Sequence, residues 1–147
     1  MPTSTKESWT LAETYIYREL LEATGHKDAQ NAFLGFLPDG LPNVFSFKMD
    51  GETADLAMIR NGKTCTLIFG ARVEGFFTER AMAQQFSMAI MDILPIRNES
   101  NVQWFRPSAG SGPRLLRDGL ELKGGQVAPG FRLSWDFEVI FNTSKVY

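Results

Sequence analysis

Phe131-Arg-Leu-Ser-Trp-Asp-Phe-Glu-Val-Ile-Phe141 decides the fold of this chain. Every odd position is large and apolar, while the even positions hold Arg132, Ser134, Asp136, Glu138 and then Ile140. Side chains alternate faces along a strand, so the segment is predicted to be a long strand with one buried face. At about 3.3 Å per residue it extends roughly 36 Å, beyond the ~17–20 Å common in small domains. That excess length points to a sheet that touches something besides its own core.

A second long strand is predicted over 64–77. Cys65, Leu67, Phe69, Ala71, Val73 and Phe77 share one side, and Thr66, Arg72 and Glu74 the other. Gly70 and Gly75 would permit a bulge or bend. Upstream, 44–49 and 56–60 read as shorter strands, with turns at Asp50-Gly51 and Asn61-Gly62. Val102 to Arg106 is another short strand.

Two helices accompany them. Trp9, Ala12, Ile16, Leu20 and Ala23 fall on one face of a helix over 6–23, with Ser4 and Glu7 at capping-box spacing and Gly25 as terminator. A second helix, capped by Thr78, runs to Ile93 before Leu94-Pro95, with Met82, Phe86, Ala89, Ile90 and Ile93 as its apolar stripe. Residues 28–34 read as a short helix, followed by turns over 37–42. The glycine- and proline-bordered excursion over 107–130 contains a small hairpin, 114–122, turning at Asp118-Gly119.

This order predicts an α+β fold in one domain, residues 1–147. Its antiparallel β-sheet carries two main helices packed on one face, and a hairpin protrudes. A chain of 147 residues buries a sizeable core without staples. Its 44% hydrophobic and 22% charged residues are ordinary for a globular protein. The net charge of −2 argues against a basic nucleic-acid-binding domain. The single cysteine allows no internal disulfide. With neither a secretory pattern at the N-terminus nor an apolar run of bilayer length, the expectation is a soluble intracellular protein.

Signals for chemistry are sparse. His26, the one histidine, sits past a helix end and is expected to be solvated near terminal carbonyls. Cys65 falls on a buried strand face with no activating base in a shared motif. The glycine pairs lack the lysine and Ser/Thr of a phosphate loop, and no zinc, calcium or nucleophile-elbow pattern occurs. Asp136 and Glu138 share a strand face, where an amphipathic strand places polar residues anyway. The expectation is a non-enzyme without catalytic, metal or cofactor-binding residues.

Apolar residues on the nominally wet sheet face are the stronger signal. Phe76 and Phe105 oppose Phe77 and Trp104 along their strands, and Ile68 and Ile140 interrupt polar faces. Several such residues on long strands point to a second buried layer or a subunit interface, with the interface favoured. The excursion supplies further candidates: Arg114, Leu115, Leu116, Arg117, Leu120 and Leu122.

Ala71-Arg-Val-Glu-Gly-Phe-Phe-Thr-Glu-Arg-Ala-Met-Ala-Gln-Gln-Phe86, Asn101-Val-Gln-Trp-Phe105 and Trp135-Asp-Phe-Glu-Val-Ile-Phe-Asn-Thr143, in this order of elements, resemble the tail-terminator and head–tail joining proteins of tailed bacteriophages and phage-like particles. The resemblance spans residues 5–147. It implies a virion structural protein that forms a homo-oligomeric ring, commonly a hexamer, on the tail tube. The implied partners are further copies, the tail-tube protein and neck or head-completion proteins, with no membrane and no sequence-specific nucleic acid. It implies no catalytic residues. The competing reading is a ligand-binding or enzymatic α+β cone, similar to nuclear-transport-factor-like or hot-dog folds, with Tyr15, Tyr17 and Asp136 as its first candidate site residues.

Overall fold

Strand β7, Val127–Thr143, is 17 residues long and begins four residues before the alternation predicted. It pairs antiparallel with β4, Thr64–Phe77, from Phe77↔Phe131 to Cys65↔Thr143, forming a two-stranded spine. Each spine strand is flanked on its outer side by two shorter strands set end to end. Beside β4 lie β2, Val44–Met49, and β3, Ala57–Asn61. Beside β7 lie β5, Val102–Pro107, and β6, Arg114–Glu121. A three-residue strand β1, Ala32–Leu34, adds to β2 in parallel and completes the seven-stranded sheet. The computed structural model describes residues 5–49, 57–61, 64–98, 101–109, 111–121 and 125–143.

Helices α1, Thr5–Thr24, and α2, Arg80–Ile93, cover one face, so the fold is α+β as predicted. Ala12, Ile16 and Leu20 of α1 and Ala83, Phe86 and Ile90 of α2 share a core with Phe47, Val73, Trp135, Phe137 and Val139. Burying this much aromatic and branched surface is the main force holding the helices on the sheet. Gly25, at φ +74°, ends α1 while its N–H donates to the Leu21 carbonyl at 2.9 Å. Ser4, Asp50-Gly51 and Gly62 lie outside the described residues. Asn61, expected in the turn, is instead the last residue of β3 and pairs with Thr64.

Several expectations are corrected. Residues 28–34 are not a helix: Ala29 takes φ +62°, the Asn31 side chain accepts from the Lys27 N–H, and Ala32–Leu34 joins the sheet. Pairing with β2 overrides the local helical pattern. Thr78 does not cap α2. Its N–H and hydroxyl address the Asn43 side chain, and Glu79 holds the N-cap position without a side-chain bond. Of the expected stripe of α2, Phe86 and Ile90 are buried and Ile93 packs against the core half-buried, but Ala89 is only half-buried, Met82 is exposed, and Ala83 and Ser87 complete the buried face. Register runs unbroken through Gly70 and Gly75, so neither makes a bulge. Gly75 instead permits close approach, since a Cβ there would lie 2.8 Å from the Phe77 ring and 3.0 Å from the Val44 carbonyl oxygen.

The hairpin is also different. Asp118-Gly119 is no turn but the middle of β6, paired with Gly130 and Pro129 of β7. The hairpin is β6–β7 itself, and its outer part, 118–121 with 127–130, runs past the Phe77↔Phe131 end of the spine. The register shift between Val102 and Trp104 reverses the expected faces of β5. Phe105 therefore enters the core, stacked on Phe137 at 4.5 Å, while Trp104 faces outward opposite Ile140.

Candidate assembly surface

The sheet face away from the helices is a ladder of charges with apolar ends. At its middle, Arg72 Nε donates to Asp136 Oδ1 at 2.9 Å, and Arg114 approaches the other Asp136 oxygen at 3.4 Å. Arg106 pairs with Glu138 at 2.6 Å and Arg132 with Asp118 at 2.9 Å. At one end Ile68, Ile140 and Trp104 form a row across β4, β7 and β5, all half-buried, with the Arg97 guanidinium 5.5 Å above the Trp104 ring.

At the other end, Phe76 and Leu120 are buried within the chain itself, which removes them, like Phe105, from the expected exposed surface. The segment 35–41 lies over them as a strap, leaving a cavity of about 250 Å³ lined also by Lys48, Glu74 and Arg132. The apolar signal at Phe76 was therefore real, but this chain supplies its own cover.

Among the hairpin candidates, Leu116 is 67% exposed and Arg114 and Arg117 are exposed, while Leu115 packs against the core. Leu122 lies outside the described residues. Val127, not predicted, is 67% exposed on the projecting part of β7. Phe36 of the strap is 64% exposed, with Leu34 and Leu41 exposed nearby in sequence.

A second surface lies on the helix side. Met88 and Met91 of α2 are 55% and 46% exposed and, with Gln84, Pro113 and Leu115, line an open groove of about 630 Å³ between α2 and the start of β6. The sequence signal for this groove was available: Gln84, Met88 and Met91 recur at helical spacing off the buried stripe.

The residues of the competing reading are not brought together. Tyr15 donates to the Arg97 carbonyl oxygen at 3.1 Å and Tyr17 to Asp28 Oδ1 at 2.7 Å, whereas Asp136 lies in the charge ladder on the other side of the sheet. Burial foremost, then the bond to Asp28, drives the Tyr17 hydroxyl far above its ordinary pKa, so it remains a donor. His26 is half-buried rather than fully solvated, and it lies near a helix-end carbonyl as expected. It stands edge-on to Phe45 at 5.2 Å and Phe86 at 5.5 Å, while Nδ1 lies 3.4 Å from the Thr24 carbonyl oxygen. The side chain of Cys65 lies outside the description. No helix among the described residues is long and apolar enough to cross a membrane.

No protein-family model matches the chain, and no curated protein does. Among solved structures it is similar to a chain in the virion of the native gene transfer agent (GTA) particle. The similarity covers 95% of this chain and 98% of that one, at 14% identity and a TM-score of 0.47. A likeness of that size assigns no role.

Proposed function

We propose that this chain is a non-enzymatic structural subunit of a phage or phage-like particle, the setting in which the similar GTA chain occurs. On this reading copies of the chain form a closed ring that caps the tail tube and joins it to the head or neck. The observation that carries it is the placement of exposed apolar groups on opposite sides of one sheet. The Met88–Met91 groove is on the helix side, and Leu116 is on the outer side. If the two meet, different patches of two copies are in contact, which makes the contact head-to-tail, and such contacts close into rings when their rotation permits.

Native mass spectrometry and negative-stain electron microscopy of the purified chain, alone and mixed with tail tubes, test this. A closed oligomer that binds tube ends is expected. Leu116→Asp and Met88→Glu should each dissociate it, because each places a charge in an apolar contact. A folded monomer that leaves tube ends bare at all concentrations would overturn the proposal.

A further inference from the structure

We propose that β6 is a guarded sheet edge, in which Arg117 and Asp118 prevent the β6 strands of two copies from pairing with each other. This inference concerns a contact that is avoided and does not rest on the assembly role proposed above.

The edge is defined by hydrogen-bond parity. Even residues of β7 address the β5–β6 side: Asn142 N donates to the Asn101 carbonyl, and Asp136 O accepts from Ser108 N. Ser134, Arg132, Gly130 and Ala128 therefore bond the even residues of β6 opposite them. The Gly119↔Pro129 pair agrees, because Pro129 has no N–H to give and Gly119 N donates elsewhere. It follows that Leu115, Arg117, Gly119 and Glu121 turn their backbone groups toward the outer edge. Among the described residues β6 pairs with β7 alone, so its edge is offered to a matching neighbour, except at Glu121, where the strap comes close: a Cβ on Gly40 would lie 3.7 Å from the Glu121 carbonyl oxygen.

Two features oppose a second copy. First, Asp118 Oδ1 accepts from Gly119 N at 2.8 Å, occupying one outward donor, while Oδ2 is held by Arg132 Nε at 2.9 Å. The bond from Arg132 keeps the Asp118 carboxyl below its ordinary pKa, so the cap remains charged in mild acid. Second, identical sheet edges meet antiparallel about a two-fold axis that passes through a residue position, because both helix layers must remain on the same side. The two registers that engage most of β6 are centred on Arg117 (114–120) and on Asp118 (115–121). The first sets Arg117 opposite Arg117 of the other copy, and the second sets Asp118 opposite Asp118. Like charges directly opposite one another disfavour a strand pair.

The test compares sedimentation of the full chain with that of Arg117→Thr/Asp118→Thr, alongside hydrogen exchange at the β6 amides. The double variant is expected to self-associate at least roughly tenfold more tightly than the parent, with amide protection at positions 115 and 119 growing with concentration. Arg117→Pro/Asp118→Thr lacks one outward N–H and should return to parental association. Asp118→Asn, which keeps the side-chain shape, should associate more than the parent even if the double variant folds poorly. Unchanged association in both the double variant and Asp118→Asn would overturn the proposal, as would association that the proline variant retains in full.

Discussion

The ring of Phe76 lies against the backbone of Gly130. A Cβ at position 130 would be 2.5 Å from Phe76 Cζ and 2.6 Å from the Phe77 carbonyl oxygen. Gly130→Ala must move the ring and the end of β4 together, and should cost about 1–3 kcal/mol. Gly112→Ala, whose Cβ would meet nothing within 4 Å, should change stability by less than about 0.5 kcal/mol. Urea unfolding of the two variants checks the contrast, and equal losses would contradict it.

Trp135 offers a second contrast. Its indole N–H is buried without a hydrogen-bond partner among the described residues, while the ring packs on Phe137 with centroids 4.6 Å apart. Trp135→Phe removes the stranded donor and keeps most of the packing, so its loss should stay within about 1–2 kcal/mol. Trp135→Ala should cost roughly 3–5 kcal/mol. Thermal and chemical denaturation distinguish the pair.

His26 should give the fold a measurable acid sensitivity. Burial, partly opposed by bonds to the Thr24 and Asn43 backbone, lowers the imidazole from its ordinary pKa of 6.5. The unfolded chain therefore takes up the proton at higher pH than the folded one. Stability is complete above about pH 6.5, falls as pH drops through that value, and levels off below the folded pKa. His26→Phe should remove this component of the slope in melting temperature between pH 7.5 and 5, measured against the parent. Identical slopes would show that the ring does not titrate as described.

Asp136 is expected to behave as a structural anion. Asp136→Asn weakens the pairs with Arg72 and Arg114, at a cost of about 1 kcal/mol or less because all three groups touch solvent. That cost should shrink in high salt. A loss that persists unchanged in 1 M salt would point to packing rather than charge.

Sequence alone revealed the elements whose pattern was long enough to outvote local noise. β4 and the 131–141 part of β7 alternate over more than ten residues, and α1 keeps Ala12, Ile16 and Leu20 on one face, all fully buried. β1 failed because three residues carry no period, and its stability comes from pairing with β2. Asp118-Gly119 resembles a turn by composition, yet β7 holds it extended through eight paired positions.

The candidate surface was less legible, for a physical reason. Alternation tells which residues share a face but not what covers that face. The strap hides Phe76 and Leu120, and one register shift in β5 exchanges Trp104 with Phe105. Both depend on segments without periodicity. Leu116 was singled out, with Leu115 and Leu120, only for lying in the 107–130 excursion, and of these three it alone is largely exposed. Phe36 and the Met88–Met91 groove were missed because attention to apolar stripes favours the buried side.

The pairing of β4 with β7 also bears on how the molecule is made. Phe77 and Phe131 are separated by 54 positions and Cys65 and Thr143 by 78, so the spine joins parts of the chain that leave the ribosome far apart in time. Until β7 emerges, β5 and β6 have no strand to rest on, and one long side of β4 stays bare. Such non-local closure slows folding and leaves a sticky nascent intermediate. Cells producing this protein should therefore depend on chaperone capacity during synthesis more than its finished stability would indicate.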